Sequence, residues 1–493
     1  MENKQLVKYN FKTKPFKHQM DALDASHDKK YFALFMEMGT GKSKVLIDNI
    51  VHLYDRGDIN FALIIAPKGV YRNWVEREIP QHFPDDVPYR VIRWVSNPNK
   101  EQEREIKSVK DAFEGITIFV MNVEIFSTVK GRNVGNWLAK RFGNRGIVAV
   151  DESTTIKNTK SNRTKALVQL SKDFEYSRIL TGSPVTNSPM DVYSQTEFLK
   201  KGVLGYSNFY AFQARYANLQ TRNMGFTSFR QVVGFKNLDE LNKKLDNFSF
   251  RVLKKDCLDL PNKVYMPRYV SLTKRQLELY EQIRKEALVL FEDGRLVSAP
   301  QMVTQMLRLQ QILSGYLTTD DGYQENFETR RIDALLDICY ETSGKIIIWS
   351  RFRYDIMKIA QVLSDNFGES KVAKYFGDTK DDERSEIIDR FQNPNSDLRF
   401  FIGNPSTAGR GLTLTEGHTV VYYANDFNLD TRIQSEDRCH RIGQNKSVTY
   451  IDLISEGTID EKIVHSLVNK IDLSAKVLGE EAKEWLQIKP KKA

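Results

Sequence analysis

The sequence predicts an α/β protein made of two tandem units with mainly parallel sheets and helical insertions. Three observations lead there. Apolar runs of strand length alternate with helical spacing from Tyr31 to Leu180, and again from Lys345 to Ala424. The first strand breaks into Gly39-Thr40-Gly41-Lys42-Ser43, a P-loop-like turn that opens a helix. A later strand, Gly146 to Val150, runs straight into Asp151 and Glu152.

Length and composition set the bounds. The 493 residues leave room for two to four domains and a sizeable core. A chain that is 41% hydrophobic and 28% charged is ordinary for a globular protein. The net charge of +9 fits a polyanionic partner and equally a merely basic protein. Cys257, Cys339 and Cys439 have no metal-binding spacing, so reduced thiols are expected. No apolar run reaches membrane-spanning length, and the N-terminus has no signal-peptide pattern, so no membrane partner is expected.

Taken in order, Phe16-Lys17-His18-Gln19 lies on a helix running to Ala25. The Gln19 amide carries a donor and an acceptor, enough to read an adenine edge, although it also suits a plain surface position. The strand from Tyr31 follows, then the glycine turn and a helix from Lys42 to Tyr54 with Val45, Leu46, Ile50 and Leu53 on one face. Bare amides of Gly39, Thr40 and Gly41 at a helix N-terminus suit a phosphate. Lys42 would reach the terminal phosphates and Ser43 would ligate Mg²⁺. The glycine usual six residues before the lysine is Met36 here.

Phe61 to Ala66 is the next strand, ending at Pro67-Lys68, and the following helix carries Trp74. Ile116 to Val120 and Gly146 to Val150 complete the apolar runs before the acids. Two carboxylates at the C-terminal edge of a parallel sheet stand where ligands bind. One acid would hold Mg²⁺ through water, and the other would orient and deprotonate the attacking water. Adjacent acids also favour a helix N-terminus, so that alternative stays open. Arg178 to Pro184 forms a further strand end, with Thr181 and Gly182 in its turn.

The first unit is read as 1–188, with 189–250 as a helical insertion whose aromatics form a local core. Residues 251–265 read as the connector and 266–330 as a helical insertion of the second unit. The second α/β unit spans 331–455, with strands Lys345 to Ser350, Lys371 to Tyr375, Arg399 to Gly403 and Thr419 to Ala424. It has no phosphate loop, but carries a turn at Ser406-Thr407-Ala408-Gly409-Arg410-Gly411. Its helix from Thr431 to Cys439 leads into Arg438-Cys439-His440-Arg441, with two arginines on one helical face. Residues 456–493 form a C-terminal brace helix and tail.

These motifs, in this order, resemble the Swi/Snf family of double-stranded-DNA-translocating ATPases within helicase superfamily two. The resemblance runs from about Phe16 to about Val464. It rests on Glu37 to Ser43, Asp151-Glu152-Ser153 with Ile156-Lys157-Asn158, and Leu180 to Asn187. Leu260-Pro261-Asn262-Lys263 with Leu272-Thr273 and Gln276, Leu309 to Gly315, Arg438 to Gln444 and Gly457 to Ile463 extend it. Thr154 stands where the family usually has a histidine.

The resemblance implies two RecA-like lobes with ATP and Mg²⁺ in the cleft between them. Gln19 and Gln434 would join the glycine loop at the nucleotide, and Arg438 and Arg441 would act as fingers from the second lobe. Double-stranded DNA, forked or branched forms included, would meet Pro67, Lys68, Thr181, Gly182, Ser350, Arg351, Ser406 and Thr407. A protein partner would use the helical insertions. The expected setting is the cytoplasm for a bacterial, archaeal or virus-encoded chain, and the nucleus for a eukaryotic one. The leading expectation is a translocating, DNA-dependent ATPase that remodels protein–DNA complexes or branched DNA. A strand-separating helicase and a nucleotide-gated adaptor are the alternatives.

Overall fold

The computed structural model describes residues 10–468 apart from 69, 96–97, 183, 186–187, 225–226, 258–259, 293–298, 320–321 and 409–411. The chain divides into two compact units, Met1–Asp259 and Leu260–Ala493.

In the first unit the apolar runs become a seven-stranded, all-parallel sheet. Its strands lie in the order Tyr89–Arg93, Ile116–Asn122, Phe61–Ala66, Gly146–Asp151, Tyr176–Leu180, Tyr31–Met36 and Ser249–Val252. Side chains of a strand alternate between faces, and here both faces are covered. Phe61, Leu63 and Ile65 enter one core while Ala62, Ile64 and Ala66 enter the other. That explains why these strands read as unbroken apolar runs. Each buried Ile, Leu or Phe contributes about 1.5–3 kcal/mol. Because all seven strands are parallel, the turns after Met36, Asp151 and Leu180 open on one edge, and the candidate site lies there.

The second unit repeats the plan with six parallel strands. Their order is Lys263–Val270, Val448–Ser455, Gly417–Ala424, Lys345–Ser350, Phe400–Gly403 and Val372–Tyr375. Ile346 and Ile348 pack on one face, Ile347 and Trp349 on the other. The helices Lys274–Glu292 and Ala299–Ser314 pack through Leu279, Tyr280, Leu309 and Ile312 against Ile459 and Ile463. The helix Ile459–Val468 therefore closes a helical subcore within this unit.

Two expectations are corrected. The insertion 189–250 is not purely helical. After Val192–Leu199 and Phe209–Tyr216 comes an antiparallel hairpin, Ala217–Met224 with Thr227–Phe235, and then the helix Leu238–Asp246. The connector 251–265 begins and ends in strand, because Ser249–Val252 joins the first sheet and Lys263–Val270 joins the second. Among the described residues no helix is long and apolar enough to cross a membrane. All three cysteines are free.

Candidate functional site

The glycine turn is shaped by backbone conformation before any side chain acts. Gly39 and Gly41 adopt φ of 78° and 90°, which carries the chain from the strand into the helix Lys42–Asp55. A Cβ at Gly41 would lie 2.1 Å from Gln19 Nε2, so glycine is also needed for space. The Thr40 amide and hydroxyl both donate to the Glu37 carbonyl oxygen, at 3.3 and 2.7 Å. Lys42 Nζ lies 3.5 Å from the same carbonyl. Glu37 in turn accepts the Lys254 amide at 2.8 Å through its carboxylate.

A second prop comes from the helix Lys17–Ser26. His18 Nε2 meets the Thr40 carbonyl oxygen at 2.8 Å, and Gln19 Nε2 donates to it at 3.1 Å. Gln19 Oε1 accepts the Phe16 amide at 3.0 Å. Both polar ends of Gln19 are thus engaged by the chain, and the residue is almost fully buried. Its place in the structure is that of a loop support.

The acids sit beside Lys42. Asp151 ends its strand inside the protein, where Oδ2 accepts the Trp74 indole N–H and Oδ1 accepts the Glu152 amide, both at 2.9 Å. Burial pushes the Asp151 carboxyl up to about 7, and the Glu152 charge adds to this; Lys42 and the Trp74 hydrogen bond oppose it. Glu152 takes φ 50° and ψ 58°, one of two described non-glycine residues with positive φ. Such a conformation in a site residue is a strained one, held by its surroundings. Ser43 and Asp151 offer a hydroxyl and a carboxylate, hard oxygen donors that fit Mg²⁺.

Three supporting residues escaped the sequence reading of the site. Trp74 is fully buried and starts a π-helical segment, Trp74–Glu78, a local irregularity that aims the indole. His18 was only a neighbour of Gln19 in the sequence. Gln195 lies 42 residues beyond Ser153, accepts its hydroxyl at 2.7 Å, and donates to the Pro184 and Asp191 carbonyls at 2.8 Å each. It ties the acid turn to the segment after Leu180. Thr154 lies half-buried in the 3₁₀ turn Ser153–Ile156, and its carbonyl accepts the Lys157 amide.

In the second unit Arg438 and Arg441 converge on the Leu412 carbonyl oxygen, at 3.3 and 3.2 Å. Arg438 Nε also donates to the Gln434 carbonyl at 2.9 Å. The expected helix to Cys439 is corrected here. It spans Leu429–Glu436, so both arginines lie in the turn beyond it rather than on one helical face.

The expected DNA contacts divide. Lys68 is exposed, its amide donating to Glu124 at 3.0 Å. Ser406 is exposed and Thr407 half-exposed, in a turn closed by Asn404. Pro67, Thr181 and Ser350 are corrected as surface contacts, because all three are buried. The Thr181 amide is used by the Leu34 carbonyl, and the Ser350 hydroxyl donates to Asp355 at 2.6 Å. Gly182 packs on the phosphate loop, where a Cβ would lie 3.1 Å from the Met38 nitrogen. Arg351 is mostly covered, paired with Asp426 at 3.3 Å and stacked over Phe427. Gly409, Arg410 and Gly411 lie outside the described residues.

A family model of the SNF2-related domain matches residues 26–315, more than half of the chain. The chain belongs to the SNF2-related family. A model of the helicase conserved C-terminal domain matches residues 330–443 of this SNF2-related chain. The chain is similar to the SWI/SNF chromatin-remodeling complex subunit snf22 of Schizosaccharomyces pombe, 27% identical over 90% of this chain and 26% of that protein. It is also similar to an uncharacterized ATP-dependent helicase of Mycoplasma pneumoniae, 25% identical over 90% of this chain and 40% of that protein. It thus spans between a quarter and two fifths of these curated relatives. Among solved structures, the Sulfolobus solfataricus SWI2/SNF2 ATPase core in complex with dsDNA aligns at 22% identity and a TM-score of 0.43. That alignment covers 97% of this chain and 96% of the other.

Proposed function

We propose that this SNF2-related chain is an ATP-driven motor that tracks along double-stranded DNA and so remodels protein–DNA complexes or branched DNA. The observation that carries the ATPase half is the grouping of Lys42, Asp151 and Glu152 at one edge of the first sheet, under a loop with two positive-φ glycines. Amides of Gly39 to Ser43 and the Lys42 ammonium bind the triphosphate. Ser43 and Asp151 hold Mg²⁺, which when bound neutralises charge on the phosphate oxygens. Glu152 orients the attacking water and takes its proton. Arg438 and Arg441 neutralise charge on the transferring phosphoryl group, their guanidinium groups leaving a carbonyl for a stronger, charged acceptor.

The DNA half draws on charge. Between Val129 and Lys172 the only acids are Asp151 and Glu152, while the helices Val129–Phe142 and Asn162–Leu170 carry Lys130, Arg132, Lys140, Arg141, Arg163 and Lys165. An open cleft of about 430 Å³ between these helices is lined by Arg132, Asn136, Asn162, Lys165 and Gln169. With Lys68 and Ser406 they would contact phosphates rather than base edges, which makes binding tolerant of sequence.

The test is the ATPase rate with single-stranded, blunt duplex and forked DNA and with RNA at matched salt, beside triplex displacement and strand separation. Stimulation by blunt duplex with triplex displacement and no unwinding is the expected result. Unwinding of forks would make the chain a strand-separating helicase. Negligible turnover with every nucleic acid would reduce it to a nucleotide-gated adaptor.

A further inference from the structure

The helix Lys17–Ser26 packs against the helix Lys42–Asp55. Near its start His18 and Gln19 hold the Thr40 carbonyl, as described above. Just past its end, His27 faces His52 in the last turn of the second helix, with ring centroids 4.7 Å apart and planes at 60°. Asp28 follows His27, and its Oδ1 lies 2.9 Å from His27 Nδ1. One ligand atom from each of His27, Asp28 and His52 falls within 4.8 Å of the other two.

We propose that His27, Asp28 and His52 form a structural site for a divalent transition cation of the zinc class. Two imidazoles and one carboxylate suit a borderline cation far better than Mg²⁺ or Ca²⁺, which select oxygen. Metal–ligand bonds of about 2 Å place neighbouring donors about 3–3.5 Å apart, so ring rotations of about 1 Å bring the three into range. His52 Nε2 is buried with no hydrogen-bond partner among the described residues, an orphan that a cation would satisfy. The Asp28 side chain is 52% exposed, which leaves a route from solvent and room for water as the fourth ligand.

Arg56 opposes the assignment, since it pairs with Asp28. It also lies 3.1 Å from Asp58, so it retains a carboxylate partner when a cation takes Asp28. The backbone is already fixed, because Asn49 Nδ2 donates to the His27 carbonyl at 3.5 Å and Arg178 binds the Ser26 and Lys29 carbonyls. A bound cation would cross-link the two helices at the end away from the phosphate loop. It would thereby stiffen the helix whose first turn carries the loop's support.

The experiment is equilibrium dialysis of the full-length chain against Zn²⁺, with Co²⁺ absorbance as a second probe. A Cys257→Ser background removes the one thiol that is not buried from every sample. The expected result is about one equivalent of Zn²⁺, a Co²⁺ spectrum of nitrogen–oxygen ligation, and a thermal midpoint raised by the metal. His52→Gln and His27→Gln should weaken that binding by about tenfold or more and abolish the shift in midpoint. Circular dichroism of the metal-free variants checks their fold. Should either histidine variant fail to fold, Asp28→Asn takes its place, since that side chain is half-exposed. Absence of Zn²⁺ binding by the parent chain, or equal binding by parent and variants, would overturn the site.

Discussion

Glu152 occupies a left-handed conformation that costs a side chain with a Cβ roughly 1–2 kcal/mol. Under the proposed mechanism, what that strain achieves is the placement of the carboxylate. Glu152→Gln keeps the shape and removes the base. ATP binding should persist while turnover falls about 10²–10⁴-fold; a wild-type rate would remove the assignment. Glu152→Gly should be equally inactive yet unfold later, by up to about 1 kcal/mol in a denaturant titration of the chain. Arg441→Ala tests the other charge. It should lose hydrolysis and hold nucleotide nearly as well as the parent, since a finger acts on charge that develops only in the transition state. A large loss of nucleotide affinity would make Arg441 a binding residue instead. The candidate site residues of the first unit were legible in the sequence as motifs, because a lysine after a glycine turn and two acids after an apolar strand are local patterns. Their supports were not. Trp74 acts on Asp151 across 77 residues and Gln195 on Ser153 across 42, and separations of that kind carry no periodic signature.

At the scale of elements, the loop and the helix Lys17–Ser26 behave as one part, since the helix grips the loop through one carbonyl. Gly41→Ala would place a methyl 2.1 Å from the Gln19 amide and strain a φ of 90°. It should displace Gln19, weaken ATP binding and destabilise the first unit. Gly57→Ala is the control. Its φ of 77° is strained alike, but nothing lies within 4 Å, so it should cost stability and spare ATP binding. Equal losses of ATP binding by the two variants would deny the helix its role. In the second unit, Asp355 joins the strand Lys345–Ser350 to the helix Ala299–Ser314, accepting Ser350 and Ser314 hydroxyls on Oδ2 at 2.6 and 3.1 Å. Oδ1 is buried without a hydrogen-bond partner among the described residues, and burial pushes the carboxyl up to about 7. The folded state therefore keeps a proton that the unfolded chain releases near the ordinary value of 3.8. Stability should fall as pH rises from about 4 to about 7, by at most about 1.4 kcal/mol per unit, and then level off. Asp355→Asn should lose that component, and an unchanged slope would place the proton elsewhere.

The edge strands missed in the sequence share one physical cause. Ser249–Val252 and Lys263–Val270 are edge strands, covered on one side only, so charged and polar residues interrupt any apolar run. Pro267 sits in the second of these, where an edge tolerates a missing amide. The hairpin strands Ala217–Met224 and Thr227–Phe235 mix polar and apolar residues without a sustained alternation to read. Most central strands buried on both faces were read nearly to the residue, because their burial is written in unbroken apolar sequence; Val448–Ser455, central in the second sheet but interrupted by Thr449 and Asp452, was not.

For the whole molecule the governing quantity is charge. A net +9 does not distinguish a DNA-binding chain from a basic one, and the proposed duplex surface rests on where the charge is placed. A stretch of 44 residues, Val129 to Lys172, keeps its only two acids at the end of one strand and turns its cations outward on two helices. Each phosphate neutralised by such a cation releases condensed counterions, so the logarithm of affinity should fall linearly with the logarithm of salt concentration. Lys68→Ala should weaken duplex binding alike for every sequence and flatten the slope by about 0.9, the share of one phosphate contact. Arg132→Ala and Lys165→Ala, at the mouth of the cleft, should do the same if the duplex runs over that face. The measurement is fluorescence anisotropy of a labelled blunt duplex across a series of salt concentrations, with ATPase in the absence of DNA as the check that the fold survives. A slope left unchanged by Lys68→Ala would take that residue off the DNA surface. Slopes left unchanged by both cleft variants would confine the duplex to other parts of the chain and leave the basic helices to a different anion.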